Sequence, residues 1–371
     1  MWIIWIEEFR KIAARKIIWL ATFLLLAFIT LRLVTQLKDY TVTIDGKTLE
    51  GQDAVEADKA LTKRYAGTLT EKEVNELYGK YGFYPYDDPD NTELEKNYLN
   101  RFITDHFTGF RTTGNVFDLH LYEGEEWEQN AAPYLEENVK FDYVYGWDDC
   151  VETYILVLLV SYVILLIGLS PVFSEEYMLK TADILRTTKR GKDSAVWMKI
   201  LAACAFAALH ILAVSIYSLG IYLWAYGAQG LDASAVLLRF STFYGYCPRT
   251  VAGLFLFIAA LGLLGSLLLT GMTLGLSAAC RNSFLSLVFS AAVFSFPVLW
   301  MKVLWPMCMG ILGTAVTTNI THFISSMPAF LPMSIGFSFS SEQIVIHICI
   351  AAAVGTAGFL YSYYRYRRCR E

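Results

Sequence analysis

The sequence predicts a mainly α-helical membrane protein with six transmembrane helices and one external α+β domain. Hydrophobic residues make up 55% of the 371 residues and the mean hydropathy is +0.41, which is too apolar for a soluble globular protein. Charge is unevenly distributed: residues 38–150 contain 25 acidic and 11 basic residues, a net charge of −14, whereas the rest carries +9. Because basic residues near membrane spans stay in the cytoplasm, this division predicts that 38–150 lies outside the cell.

The membrane part is predicted from apolar stretches of about 20 residues, the length that crosses the hydrocarbon layer as a helix. Six stretches qualify, and the last four fall within residues 197–364. They are residues 17–37, residues 151–173, Ile200–Tyr226, and stretches within Val251–Ala279, Ser283–Met301 and Ile344–Tyr364.

The orientation follows from four basic groups that flank these stretches. They are residues 10–16, residues 180–199, Arg281 and the tail at 365–371. With six spans, all four groups fall on one side of the membrane, so both termini are predicted to be cytoplasmic. A seventh span would place the C-terminal arginines outside.

Residues 303–341 follow the fifth predicted span and contain no Asp, Glu, Lys or Arg, but they include Pro306, Pro328 and Pro332. Irregular backbone at membrane depth is tolerated only where it packs against protein. We therefore expect two short re-entrant helices that dip into the outer leaflet between spans five and six.

The external segment has its own local signals. Tyr40–Ile44 alternates like a strand, and Asp45-Gly46 is a hairpin turn before a return strand at Lys47–Leu49. Thr70 and Glu73 have the spacing of a capping box, which predicts a helix over Glu71–Tyr81. A second helix is predicted from about Thr92 to Phe107, with Leu94, Tyr98, Phe102 and Ile103 on one face.

Metal and disulfide signals are weak. Asp87, Asp88, Asp90, Asn91 and Glu93 form an acidic cluster without the spacing of an EF-hand, so a turn that caps the next helix is preferred over a calcium site. The seven cysteines contain no C-x-x-C pair, and we expect free apolar thiols; a disulfide among Cys150, Cys247 and Cys308 stays open. No basic stripe interleaved with aromatic residues is present, so nucleic acid is not expected as a partner.

Residues 1–16 predict an amphipathic helix. Trp2, Trp5 and Phe9 share one face, opposite Arg10 and Lys11. Such a helix is typical of one that lies in the inner membrane interface. The alternative is a cytoplasmic extension of the first span.

Residues 174–196 predict a short cytoplasmic helix between spans two and three. Ser174 is placed to cap it, with Glu175 and Glu176 in the first turn, where acids interact favourably with the helix dipole. Further along, Tyr177, Thr181, Ile184 and Leu185 share a face, and Arg186, Lys189 and Arg190 occupy the C-terminal end. This pattern favours docking of a partner, and the alternative is a solvated loop.

Two segments together resemble a known family. Glu8-Phe-Arg-Lys-Ile-Ala-Ala-Arg-Lys16 leads directly into the first span, and Phe173-Ser-Glu-Glu176 with Thr181, Ile184-Leu185-Arg-Thr-Thr188 and Lys192 follows the second. The chain is similar to type-2 ABC transporter permeases. The resemblance implies that residues 1–16 are an interfacial elbow helix, that residues 174–196 hold a coupling helix, and that re-entrant helices precede the last span. In position and size, the external segment, residues 38–150, resembles the insert of bacterial exporters that confer resistance to antimicrobial peptides or bacitracin.

The resemblance also implies partners and a location. The sequence contains no G-x-x-x-x-G-K-[ST] motif, so ATP and Mg²⁺ would be bound by a separate ABC ATPase, and this chain is expected to have no catalytic residue or cofactor. Two ATPases would act with two permease chains, identical or different, in a bacterial plasma membrane. The expected substrate is an amphipathic peptide, antibiotic or lipid-like compound. The residues expected to couple to the ATPase are Glu175, Glu176, Tyr177, Lys180, Thr181, Leu185, Arg186 and Arg190.

Two other functions remain open at this point. Glu175-Glu176-x-x-x-Lys180, Phe206…His210 and His347 resemble the motifs of CAAX-type intramembrane peptidases, although those enzymes have Arg at the position of Lys180, and Ala351 stands where a polar residue is expected. A membrane sensor with an external ligand-binding domain is the other alternative. His210 and His347 are functional candidates because they lie inside predicted spans, although a neutral histidine hydrogen-bonded to a neighbouring helix is preferred.

Glycines recur along the fourth predicted span. Gly271-x-x-x-Gly275 is a close-packing motif of transmembrane helices. We expect it to serve helix packing within the chain rather than a substrate groove.

Overall fold

The computed structural model describes residues 2–88, 94–117, 119–187, 193–238, 249–333 and 341–368. Within them, five helical segments are long and apolar enough to cross a membrane. They are α2 (Lys16–Lys38), α8 (Tyr145–Leu169) with its continuation α9 (Pro171–Met178), α11 (Ser194–Tyr226), α12 (Val251–Ala279) and α16 (Ser341–Arg368). The first four and the last of the predicted spans are thus confirmed as helices, each within a few residues of its predicted ends.

The fifth predicted span is bent. α13 (Ser283–Leu299) contains Pro297, which lacks an N–H and clashes with the preceding turn, and it passes through a π-helical turn (Trp300–Leu304) into α14 (Trp305–Leu312). The axes of the two parts differ by 42°. These parts form a sixth candidate span only when taken together, so the count of six stays a prediction.

Two short helices lie in the segment predicted to re-enter the membrane. They are α14 and α15 (Thr314–Ser325), joined at Gly313, whose φ of +80° favours glycine. A 3₁₀ turn (Pro328–Met333) follows, and residues 334–340 lie outside the described residues. Short helices are therefore present as expected, and their depth in the membrane stays a prediction.

α12 and α16 pack closely against each other, and glycines from both helices lie at the contact. A Cβ on Gly271 would collide with the carbonyl oxygen of Gly355, and a Cβ on Gly355 would lie 2.8 Å from Leu268 Cα. A Cβ on Gly275 would lie 3.1 Å from Gly358 Cα. The expected packing role of Gly271-x-x-x-Gly275 is confirmed, because only glycine lets the two backbones approach this closely.

The insert, residues 38–150, forms a small α+β domain. β1 (Thr41–Ile44) and β2 (Lys47–Glu50) pair antiparallel, with Ile44 opposite Lys47. Asp45 and Gly46 both have positive φ, 52° and 73°, as a two-residue type I′ turn requires. The predicted hairpin is thus confirmed. It is followed by α3 (Gly51–Thr62) and a 3₁₀ turn (Lys63–Tyr65), which were not predicted from the sequence.

Of the two helices predicted in the insert, one is confirmed and one is shorter than predicted. α4 (Glu71–Tyr81) has the expected capping box between Thr70 and Glu73. α5 (Tyr98–His106) begins at Tyr98 rather than near Thr92. The reason is that Lys96 pairs its backbone with Thr43 of β1 at 2.8 and 3.0 Å, which keeps it extended, and that Asn97 and Asn100 then cap each other's backbone N–H groups.

An aromatic core holds the rest of the insert together. After α5 come only short elements: α6 (Phe110–Thr113), α7 (Gly124–Glu126), a π-helical turn (Trp127–Ala131) and a 3₁₀ turn (Ala132–Tyr134). Phe102, Phe107, Phe141 and Trp147 are each no more than 2% exposed. Of the predicted apolar face of α5, Tyr98, Phe102 and Ile103 are buried, whereas Leu94 precedes the helix and is 44% exposed.

Asp58 of α3 joins both ends of the insert. Its carboxylate accepts hydrogen bonds from the hydroxyl of Tyr40, next to the end of α2, and from the backbone N–H of Tyr98 at 2.8 Å. Tyr143, close to the start of α8, donates to the Tyr40 hydroxyl at 3.3 Å. Complete burial raises the pKa of Asp58 to about 7, although these hydrogen bonds and the charge of Arg101 act in the opposite direction.

The stability of the insert is therefore expected to depend on pH. The folded-state pKa exceeds the ordinary value, so the folded insert keeps a proton that the unfolded chain loses, and this stabilisation declines as the pH rises from about 4 through 7. Between pH 5.5 and pH 8 the expected loss is about 2 kcal/mol. Hydrogen exchange of residues 51–62 and 98–106, corrected for intrinsic rates, measures it. Asp58→Asn should remove the dependence, and equal protection of the native insert at both pH values would contradict it.

Candidate functional site at the end that carries both termini

The helix bundle has one end, called the basal end below, where α1 (Trp2–Ala13), the α8–α9 junction, the α12–α13 turn and the C-terminal part of α16 meet. Arg15 donates to the carbonyl of Gly168, and the Ser174 and Ser283 hydroxyls are 3.3 Å apart. The Arg367 guanidinium lies 3.3 Å from Asp193, which precedes α11. All four basic groups that the sequence assigned to one side thus flank this end.

The segment predicted to be one helix starting at Ser174 is instead two short helices. α9 starts at Pro171, for which the first helical turn is favourable, and the Ser174 hydroxyl donates to the carbonyl of Ser170 at 2.9 Å rather than capping. The chain then turns at Lys180, whose φ is +56°, and α10 (Ala182–Thr187) follows. The predicted cap and helix start at Ser174 are therefore wrong.

A serine from α12 fixes the start of α9. The Ser277 hydroxyl accepts hydrogen bonds from the backbone N–H groups of Phe173 and Ser174 at 3.0 and 3.1 Å and donates to the carbonyl of Ser170 at 2.6 Å. Ser286 of α13 donates to the same carbonyl at 2.8 Å. First-turn N–H groups have no partner within their own helix, so these serines tie the direction of α9 to two other helices.

Lys199 is the centre of the basal end. It is 1% exposed, and its ammonium donates to Glu176 of α9 and, at 2.9 Å, to Glu8 of α1. The hydroxyl of Tyr366 on α16 donates to the other oxygen of Glu176 at 2.6 Å. Four helices are thus joined through one buried cation and its partners, which are called the Lys199 cluster below: Glu8, Glu176, Lys199 and Tyr366.

The carboxylate of Glu8 in this cluster is stabilised by contacts with two lysines. Burial opposes ionisation of Glu8, but its contacts with Lys199 and with Lys11, at 2.7 Å, outweigh burial and keep the pKa of its carboxyl below the ordinary value. The Glu8 carboxyl is therefore expected to be ionised at neutral pH. A buried pair of this kind is costly to break, because the remaining partner keeps an uncompensated charge.

Glu175 and Glu176, which the sequence treated alike, have different surroundings. The side chain of Glu175 is 46% exposed and accepts from Arg15 at 2.8 Å, whereas the side chain of Glu176 is 11% exposed within the Lys199 cluster. Only Glu175 is accessible to a docking partner.

Sequence reasoning missed Lys199 and Tyr366, since a lysine at the end of a span and a tyrosine before a basic tail are both ordinary topology signals.

A cavity of about 640 Å³ separates α1 from α9 and α10. Both apolar and charged side chains line it, among them Lys11, Ile12, Arg15, Val172, Glu175, Leu179, Thr181, Ile184 and Leu185. Met178, Leu179 and Ile184 are 52%, 60% and 67% exposed. Three exposed apolar residues around one short turn are typical of a contact surface.

The remaining predicted coupling residues lie on or beside this surface. The ring of Tyr177 packs 5.9 Å from that of Tyr366, and Lys180 is exposed at the turn. Thr181 and Leu185 line the cavity, Arg186 belongs to α10, and Arg190 lies outside the described residues.

The predicted elbow residues form one continuous aromatic stack. The rings of Trp2 and Trp5 are 4.9 Å apart, those of Trp5 and Phe9 are 5.5 Å apart, and Phe9 contacts Phe206 of α11 edge-on at 5.9 Å. Trp2 is 70% exposed. α1 thus packs on α11 at its inner end and presents a tryptophan at its outer end, as a helix lying in the membrane interface would.

The two intramembrane histidines are far from the paired glutamates. Lys199, which binds Glu176, precedes His210 by eleven residues of α11, about 16 Å of helix. Tyr366, the other partner of Glu176, follows His347 by nineteen residues of α16, about 28 Å. The ring of His347 instead lies 5.8 Å from that of His322, so the groups that a CAAX-type peptidase would need are not brought together.

No cluster of three or more metal-binding side chains occurs among the described residues, which exclude Asp90, Asn91 and Glu93. Cys150 and Cys308 are free thiols, so they do not pair with each other, and Cys247 lies outside the described part of the chain.

Comparison with known proteins identifies the family. The model of the family described as "ABC-2 family transporter protein" matches residues 1–343. No curated protein and no solved structure matches the chain. The family match agrees with the long apolar helices of the structure. The chain belongs to the ABC-2 transporter family and is a multi-pass membrane permease.

Proposed function

We propose that the chain is the permease subunit of an ATP-driven exporter that moves an amphipathic peptide, antibiotic or lipid-like compound out of a bacterial cell. Two permease chains, identical or different, act with two copies of a separate ABC ATPase that binds ATP and Mg²⁺. Family membership supports this proposal, and the chain has no phosphate-binding G-x-x-x-x-G-K-[ST] motif. The basic charge of the basal end supports an orientation with both termini in the cytoplasm and residues 38–150 outside.

The observation that carries the proposal is the α9–α10 turn. Its exposed apolar side chains, Met178, Leu179 and Ile184, project from the basal end, and Glu175 provides an accessible charge beside them. At the same time α9 is held by the Lys199 cluster and by Ser277. A partner that binds this turn therefore pulls on α1, α11, α12 and α16 together.

The coupling follows from these contacts. Closure of two ATPases on nucleotide would shift the α9–α10 turns, and the buried charge pairs make it costly for α9 to move without Lys199 and Tyr366. The spans α11 and α16 would then reorient with it. Nucleotide thus favours one of two arrangements of the spans through its differential contacts with the ATPases.

Docking is tested by the double substitution Leu179→Asp with Ile184→Asp. Both side chains are exposed, so the permease should fold and elute normally on size-exclusion chromatography. In the complex, the two introduced acids would be buried against the ATPase, which should weaken ATPase binding at least about tenfold. Co-purification of ABC ATPase subunits with the tagged permease from its native cells measures the effect.

The matched control places the same charges on the insert, as Leu49→Asp with Leu94→Asp, since these leucines are 36% and 44% exposed. The control pair should retain the ATPase. If the α9–α10 variant also retains the ATPase at wild-type level, the turn is not the docking site.

A further inference from the structure

A second cavity, of about 510 Å³, opens where α2 meets the insert. Along α2, in the direction of the insert, the lining of this cavity changes from apolar to polar side chains. The lining residues are Phe28, Leu31, Arg32, Thr35, Gln36, Asp39, Tyr40, Tyr145 and Asp149. Phe28 and Leu31 are 41% and 66% exposed on a helix that crosses the membrane, so this cavity faces lipid.

Arg32 is the unusual residue of this cavity. Its closest carboxylate, Glu152, is 4.0 Å away and 60% exposed, which makes a weak pair. The Nε atom of Arg32 is buried and has no hydrogen-bond partner within the described ranges. A guanidinium near a membrane interface with unused donors matches the oxygens of a phosphate group, which it can bind in bidentate geometry.

The order of side chains along α2 adds a second constraint. Phe28 and Leu31 come first, Arg32 follows, and Asp39 lies two turns further along, about 10 Å, on the same face of the helix. Going outward, the helix therefore offers apolar, cationic and anionic groups in turn. A zwitterionic phospholipid presents the complementary series: acyl chain, phosphate, ammonium.

We propose that this cavity binds the headgroup of a phosphatidylethanolamine-like lipid of the outer leaflet, with its phosphate on Arg32, its ammonium group near Asp39 and an acyl chain along Phe28 and Leu31. The assignment of the leaflet rests on the proposed orientation of the chain, and the site is additional to the proposed export function. A lipid held at this place would connect the membrane surface to Tyr40 and thereby to the hairpin of the insert.

Native mass spectrometry of the delipidated permease in detergent tests the proposal. The probes are phosphatidylethanolamine and phosphatidylglycerol with identical acyl chains, which share the phosphate and differ in the ammonium group. The wild type should bind the first molecule of phosphatidylethanolamine several-fold more tightly. Arg32→Gln should weaken binding of both lipids about tenfold, the loss of one charge-assisted pair. Asp39→Asn should abolish the preference and leave phosphatidylglycerol binding unchanged.

Lys38→Gln is the matched control, because Lys38 is an exposed charge at the same end of α2 that does not line the cavity. It should bind both lipids as the wild type does. Asp39 is exposed, so its variant is expected to fold even if Arg32→Gln does not. Unchanged lipid binding by folded Arg32→Gln, or a preference that survives Asp39→Asn, would overturn the proposal. Tighter wild-type binding of phosphatidylglycerol would do the same.

Discussion

Replacing Lys199 with methionine is expected to lower the free energy of unfolding by about 3–5 kcal/mol, because Glu176 would remain buried without a cation and Glu8 would keep only its exposed partner Lys11. Methionine keeps most of the volume, so the loss is electrostatic rather than a cavity effect. Thermal unfolding of the purified permease in detergent, followed by tryptophan fluorescence, measures the change.

Lys11→Met provides the matched control for this prediction. Lys11 pairs with the same Glu8 but its side chain is 58% exposed, so its removal should cost less than about 1 kcal/mol. Combining Lys199→Met with Glu176→Gln should recover part of the stability, since the buried carboxylate that has lost its cation is then removed. Equal losses for the two lysines would show that burial of Lys199 does not matter.

The second large effect is expected at the helix crossing. Gly271→Val should destabilise the bundle by about 3 kcal/mol, because its side chain would collide with the carbonyl of Gly355 and separate α12 from α16. The fraction of monodisperse protein on size-exclusion chromatography and the unfolding temperature both measure this.

Gly220→Val is the comparison, since Gly220 also lies inside a membrane helix, α11, but no atom approaches its Cβ position within 4 Å. It should be tolerated. A tolerated Gly271→Val would mean that α12 and α16 do not cross at these glycines.

Some features of the fold follow from neighbouring residues alone and could be predicted. The hairpin turn needs two residues that accept positive φ, and Asp45-Gly46 supplies them. The capping box needs only Thr70 and Glu73. α5 was predicted to start six residues too early because the pairing of Lys96 with Thr43 of β1 is not visible locally.

The candidate site also combines features that neighbouring residues encode with features that distant contacts decide. The sequence located the coupling segment, but a local cap at Ser174 was the wrong reason for its structure. The helix there starts at Pro171 and receives its hydrogen bonds from Ser277, more than a hundred residues away. No pattern around residue 174 encodes that contact.

The amino-acid sequence by itself determined which stretches are apolar enough to cross the membrane, which charges flank them, and that the insert is acidic; the family match supports this membrane architecture. These properties depend on composition over some twenty residues, the scale at which the membrane acts as a solvent. Only the tertiary structure decided that Lys199 joins four helices, that Glu175 and Glu176 have different surroundings, and that Arg32 faces a cavity. Each of these depends on side chains from distant segments, because the fold decides which groups surround a charged side chain and how far it is removed from water.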